Sequence, residues 1–274
     1  MFLIIIAVII RIFSNSFLNV FQKILTSKGE FSSIVNFYTY LGLMILGVLT
    51  CPNPIFDKDI LSILLVMGFL GALGNFFIIK ALSLGELSSL APINSYKPII
   101  ALILGIFLIK EIPEFHHLLG ILMIIIGTFI LSECKMFYNK ATFYRFLALF
   151  FSGTEAIFIK KTILLTNVSS AFLYWAFAGF IFSALFALTS RHPFRIKNSN
   201  IKYQILLIIM VALMQYATNY TFKKINVAYA LALFQLSSIV SVFLGVNIFR
   251  ETGFVRKIIA SLIMLLGAVI IIIS

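Results

Sequence analysis

Residues 118–131 read LLGILMIIIGTFIL, and this stretch decides what surrounds the chain. Laid on a helix of 3.6 residues per turn it is apolar on every side, and as a strand it lacks the alternation of a half-buried sheet. A transmembrane β-barrel would alternate polar and apolar residues over segments of about ten, so this run and others like it are helices in apolar surroundings. Composition agrees. Of 274 residues 62% are hydrophobic and 11% charged, with 21 Lys and Arg against 9 Asp and Glu. Soluble domains are roughly 45–50% apolar and about 25% charged, so a water-soluble fold of this length could not cover its surface. The solvent is lipid.

A helix needs about 20 apolar residues to cross the hydrocarbon. Cutting the chain at its charged and Gly/Pro/Ser/Asn clusters predicts ten spans, at 2–22, 34–50, 60–80, 88–109, 117–133, 142–165, 170–189, 202–222, 226–249 and 255–273. The longest connections, CPNPIFDKD (51–59), ECKMFYNKATFYR (133–145) and RHPFRIKNSNIK (191–202), are too short to fold alone. The first span lacks a basic leader and a small-residue cleavage site, and Arg11 interrupts it, so it reads as a retained helix and not a signal peptide. Cys51 and Cys134 fall on opposite faces of this layout, so no intramolecular disulfide is expected.

The chain also matches itself. At an offset of 140 residues Leu104, Gly105, Glu111, Leu122, Gly127 and Ile130 fall on Leu244, Gly245, Glu251, Leu262, Gly267 and Ile270, with Lys110 on Arg250. Nearer the start, Ser32, Ser33 and Gly42 fall on Ser169, Ser170 and Gly179 at an offset of 137. The expected organisation is therefore an all-α integral membrane protein of two five-helix repeats, 1–137 and 138–274. Five is odd, so the second repeat enters the membrane from the opposite face, the inverted arrangement of many secondary transporters.

The segment from Pro98 through IIALILGIFLIK to Glu111, then Gly120 and Gly127, with Gly245, Glu251 and Gly267 repeating the pattern, resembles the EamA-type branch of the drug/metabolite transporter superfamily. The resemblance covers essentially the whole chain. It implies a multi-pass protein of the cell (inner or plasma) membrane, a secondary active transporter read as an exporter, with both termini in the cytoplasm. Loop Lys and Arg are heavier on the face that carries the connection at 191–202, which by the positive-inside rule would place the termini outside; the family arrangement is preferred. The sequence departs from the family at Asn36, Phe37 and Tyr38, where a basic residue often enters the second span, and at Ser238, which replaces a proline.

Polar residues inside the spans carry the functional reading. Arg11, Lys97 and Glu155 are formally charged, and a charge near the midplane costs at least about 2.5–3.5 kcal/mol, so such groups usually face the bundle interior or a wet cavity. At about 100° per residue, Asn15, Asn19 and Gln22 lie about 40°, 80° and 20° round the helix from Arg11. The stripe is either interhelical glue or cavity lining. In the third span Gly68, Gly71, Ala72 and Asn75 share one side, and in the eighth Gln215, the repeat partner of Asn75, shares a side with Asn219. Close helix packing is the competing reading for the glycines. In the fourth, Ser88, Pro92, Ser95 and Tyr96 lie on one side and Asn94 with Lys97 on another, and Pro92 and Pro98 each remove a backbone donor and kink the helix. Gln235 joins the set from the ninth span. The expected solute-binding residues are Arg11, Asn15, Asn19, Asn75, Tyr96, Lys97, Glu155, Gln215, Asn219 and Gln235, with helix kinks at Pro92 and Pro98.

Two cations against one carboxylate leave a net +1 at depth, which favours a small anionic or zwitterionic solute such as an amino acid. Arg11 or Lys97 meets its carboxylate or phosphate; Glu155 neutralises the other cation, binds an amine or carries a coupling proton. The rival is a structural Glu155–Lys97 ion pair. The fifth and tenth spans, with Gly120, Gly127, Ala260 and Gly267 seven apart, read as lipid-facing scaffold or a dimer surface, so the chain is a monomer or a homodimer. Phe37, Tyr38, Tyr40, Tyr174, Trp175 and Phe177 read as packing or an interfacial belt before a ligand cage. His116 and His117 read as solvated interfacial residues. No metal, cofactor or nucleic acid is expected, the net charge of +12 being mostly loop charge. There is no HExxH, G-x-S-x-G or GxxxxGK[ST] motif, so the chain is not read as an enzyme. Lipid flipping is the alternative function, ahead of a membrane-embedded enzyme.

Overall fold

A computed structural model describes residues 2–85, 87–112, 114–131, 139–190, 192–237, 239–240, 243–244 and 255–273. Among them every regular element is helical. The elements are α1 (Phe2–Ser27), α2 (Ser32–Thr50), α3 (Ile60–Leu84), α4 (Leu87–Leu90), a 3₁₀ turn (Ala91–Tyr96), α5 (Lys97–Ile109), α6 (Phe115–Leu131), α7 (Lys140–Leu165) and α8 (Val168–Thr189). A 3₁₀ turn (Asn198–Asn200) then leads into α9 (Ile201–Lys224), followed by α10 (Val227–Phe234) and α11 (Val255–Ile273). Sequence readings at Cys134, Ser238, Gly245, Arg250 and Glu251, and at the side chains of Ser88, Pro92 and Ser95, lie outside the described residues.

Five helical stretches among the described residues are long and apolar enough to cross a membrane: α1, α2, α3, α8 and Asn198–Lys224. Helix α7 is as long as α1 but carries Lys140, Arg145, Glu155, Lys160 and Lys161. The outer surface is apolar, with Phe13, Leu49, Leu61, Phe107, Leu164 and Leu188 among its exposed side chains. Apolar exposure on this scale suits a lipid-facing wall and not a water-facing one.

Sharp caps allow the helices to turn back at once. Asn139, Asn167 and Asn226 each accept a backbone N–H of the following turn at 2.8–2.9 Å, which starts α7, α8 and α10. After α1 the chain reverses at Gly29, whose φ of +81° only glycine adopts without strain.

The fourth span is not one helix. A single helical turn, α4, gives way to the 3₁₀ turn over Ala91–Tyr96, and α5 begins only at Lys97. Pro92 and Pro98 both lack an N–H, so an unbroken i→i−4 ladder cannot run through them; Pro98 sits instead in the first turn of α5, where no donor is needed. At the expected kinks the α-helical ladder gives way to the tighter i→i+3 bonding of a 3₁₀ turn. The second copy does the same: α10 ends at Phe234, and i→i+3 bonds follow from Gln235 to Ala232, Leu236 to Leu233 and Ile239 to Leu236. Subtracting the 140-residue offset lays these bonds over residues 92–99.

Packing repeats the internal match. Helix α3 packs on α7 as α9 packs on α1, α3 on α8 as α9 on α2, while α2 with α8, α5 with α10 and α6 with α11 pair with their own counterparts. Lys23 Nζ on α1 donates to the carbonyls of Leu82 (2.9 Å) and Gly85 (2.5 Å). Lys160 Nζ on α7 donates to those of Phe222 and, at 3.1 Å, Ile225. These partners are related by the same offsets of 137 and 140 found in the sequence.

Candidate functional site

The two broken helices meet the polar faces of α1, α3, α7 and α9 around one cavity of about 100 Å³. Arg11, Asn15 and Asn19 line it from α1, Gly71 and Asn75 from α3, Arg145, Ser152 and Glu155 from α7, and Gln215 and Thr218 from α9. Asn94 and Lys97 come from the first break; Gln235 and Ser237 come from the second. The change from 3.6 to about 3.0 residues per turn rotates the following side chains to a different side from the one a continuous α-helix would give them. Ser237 illustrates this: its hydroxyl accepts the Asn15 amide at 2.9 Å and its carbonyl accepts the Ser16 hydroxyl at 2.9 Å.

Arg11 is 9% exposed. Its Nε donates to Thr218 Oγ1 at 2.8 Å, and its guanidinium carbon lies 4.8 Å from the centre of the Phe234 ring, a cation–π distance. One terminal nitrogen, Nη1, has no hydrogen-bond partner. Glu155 is held by the indole N–H of Trp175, which donates to Oε1 at 2.5 Å. Opposite it, a methyl group on Gly71 would collide with the same oxygen, so this glycine makes room for the carboxylate.

The remaining amides are cross-linked. Gln22 Nε2 donates to Asn75 Oδ1 at 3.1 Å, Asn75 donates to the Asn36 carbonyl oxygen, and Asn36 Nδ2 donates to the Ala72 carbonyl at 3.2 Å. This ties α1, α2 and α3 together. Gln215 Nε2 donates to Asn219 Oδ1 at 2.9 Å within α9.

The sequence pattern of the EamA-like transporter family matches residues 2–133 and again 139–273. The chain belongs to the EamA-like transporter family. It is therefore a multi-pass membrane transporter of the drug/metabolite transporter superfamily built from two repeats. An uncharacterized protein of Methanocaldococcus jannaschii is 30% identical over 120 residues, 41% of this chain and 83% of the relative. A solved crystal structure shares the fold with a TM-score of 0.73 over 97% of each chain at 16% identity.

Of the ten residues singled out in this EamA-like chain, Arg11, Asn15, Asn19, Asn75, Lys97, Glu155, Gln215 and Gln235 line the cavity. Tyr96 and Asn219 do not. Asn219 is fully buried behind the lining, where its Nδ2 reaches the Val168 carbonyl at 3.3 Å. Glue and lining prove to be one and the same for Asn15 and Asn75, which face the cavity while bonding to a neighbouring helix.

Several expectations are corrected. No ion pair joins Glu155 to Lys97; Lys160 instead pairs with Glu111, past the end of α5, at 3.1 Å. Lys110 takes a left-handed turn (φ 56°) at the end of α5, and Glu111 then reaches both Lys160 and the Val227 N–H, at 2.9 Å. Tyr40 and Trp175, read as packing, line the cavity with ring centres 5.3 Å apart. His117, read as solvated, is buried and stacks on Tyr229 at 4.0 Å. With Glu114 and His116 it brings three donor atoms within 4.8 Å of one another, a combination able to hold a divalent metal. The small residues of α6 and α11 face each other inside the chain, while Leu122, Ile126, Leu262 and Leu266 leave an apolar outer face on the same two helices. Arg145 was assigned to a connection and missed; it stands in the second turn of α7, 1% exposed. Its apolar neighbours on α7 were the available signal.

Proposed function

We propose that this transporter is a secondary active exporter of the cell membrane, ten spans in two inverted repeats with both termini cytoplasmic. It moves a small polar metabolite, anionic or zwitterionic such as an amino acid, by alternating access through the central cavity. The observation that carries this reading is that two helices interrupted by i→i+3 turns, one per repeat, converge on a cavity lined by Arg11, Lys97 and Glu155. Paired broken helices at a repeat interface are where transporters of this architecture bind their cargo. The exchange of packing partners between the halves supports the two-fold relation, and five helices per half make that relation an inversion. Arg11 or Lys97 meets the anionic group of the solute. Glu155, the one carboxylate on the cavity wall among the described residues, takes an amine or a coupling proton. A proton or solute gradient drives the cycle.

Uptake of labelled amino acids and organic anions into proteoliposomes, with and without an imposed proton gradient, tests this. The expected result is accumulation that rises with the gradient and disappears in Arg11→Gln. Uptake that is absent for every solute under both conditions would overturn the reading.

A further inference from the structure

The cavity wall holds more positive charge than Arg11 and Lys97 supply. Arg145 Nε donates to the Leu90 carbonyl at 3.1 Å, where the first broken helix unwinds, and its Nη1, like that of Arg11, has no hydrogen-bond partner. Both side chains are more than nine-tenths buried, and both residues line the cavity. Lys97, which makes no ion pair with a described residue, feels the charges of Arg11, Arg145 and Glu155 together. It is the group that faces both arginines.

Against these three cations stands one carboxylate, Glu155, itself occupied by the Trp175 indole. The other buried pair nearby, Lys160 with Glu111, is neutral within itself, and neither residue lines the cavity. With all four groups ionised the wall carries three positive charges and one negative, a net +2. Buried cations without counter-charge are strongly unfavourable: a lysine can release its proton, but a guanidinium stays charged and is relieved by a bound anion. A zwitterion leaves the excess where it was, a monoanion halves it, and a dianion cancels it. Guanidinium donors left free on two different helices also suit a solute with an anionic group at each end.

Resting on the transport reading above, we infer that the solute is a small dianion, with one anionic group bound by Arg11 and the other by Arg145, and Lys97 between them. Carboxylate and phosphate both supply this chemistry. A cavity of about 100 Å³ limits the body between the charges to a few carbons.

The test measures binding to the purified full chain at constant ionic strength, by ligand-induced thermal stabilisation. The probes are succinate (a dicarboxylate), glycerol phosphate (a phosphomonoester), lactate (a monoanion) and alanine (a zwitterion). At least one dianion is expected to bind about tenfold or more tighter than lactate and alanine, and which dianion does so separates the two sources. Arg145→Gln is expected to reduce that advantage to about threefold or less, while Arg145→Lys keeps most of it. Lys97→Met, at a side chain without an ion-pair partner among the described residues, must narrow the advantage too, and it decides the matter if Arg145→Gln does not fold. Alanine or lactate binding as tightly as both dianions, or an advantage unchanged in Lys97→Met, would overturn the dianion assignment and leave the transport reading intact. Proteoliposomes that take up none of the four probes would instead remove the transport reading on which the inference rests.

Discussion

Two regions of this molecule are built from opposite materials. Between α6 and α11 the contact is close and, Thr128 apart, apolar among the described residues: a methyl group built on Gly120 would lie 2.7 Å from the carbonyl oxygen of Gly267, and one on Gly127 would lie 2.8 Å from that of Ala260. Around the central cavity the wall carries polar and charged groups that are incompletely paired, with Nη1 of Arg11 and of Arg145 bonded to nothing. Dispersion contacts between small residues are complete without a ligand. Unpaired charges are not. The comparison teaches that stability and binding are assigned to separate helices, so each region should respond to mutation in its own way.

The largest effect expected is on the cavity side. Arg11→Gln removes a buried charge and should cost about 2–5 kcal/mol of solute binding, an affinity loss of about 30-fold or more, with little change in thermal stability. Solute titration of the purified variant checks this, and unchanged affinity would erase the distinction between the regions. Next, Gly267→Ala on α11 places a methyl 2.6 Å from the Gly120 carbonyl oxygen. Overpacking of this kind typically costs about 1–3 kcal/mol, so the unfolding temperature in detergent should fall by several degrees while affinity per folded molecule holds. Gly71→Ala then separates geometry from charge. Its methyl displaces the Glu155 carboxylate, and transport should drop by about tenfold with helix content unchanged, since small misplacements at a working group are felt strongly. The smallest effect belongs to Asn75→Ala, where two interhelical hydrogen bonds worth about 0.6 kcal/mol each are lost; Gln22→Ala loses one of the two, and its thermal melt should lie within about 0.6 kcal/mol of that variant's.

The sequence was legible where solvent dictated residue choice. A run such as 118–131 admits one reading, and the 140-residue self-match is repeated in the structure by Lys23 and Lys160 holding equivalent carbonyls. Eight cavity residues were legible because a polar side chain in an apolar helix needs a reason. Elsewhere the signal was ambiguous. Prolines at 92 and 98 announced a disturbance, but whether a helix bends or tightens into a 3₁₀ turn depends on what donates to the freed carbonyls, here Arg145 Nε to Leu90. Tyr40 and Trp175 were hidden because an aromatic ring packs against lipid, protein or solute equally well, and only the partner decides. Arg145 was hidden by its place near the start of α7, where a cation usually reaches water. Glu155 and Lys97 have opposite charges, and sequence could not show that tryptophan and not lysine holds the carboxylate.

The central claim is that this cavity opens alternately to the two sides of the membrane. Asn15, which lines the cavity and bonds to Ser237 in the second break, is the position to probe. In reconstituted Asn15→Cys, with Cys51 and Cys134 replaced by serine, a membrane-impermeant thiol reagent should react when added from either side, and bound solute should slow both reactions. Reaction from one side only, or at a rate the solute does not change, would contradict the account.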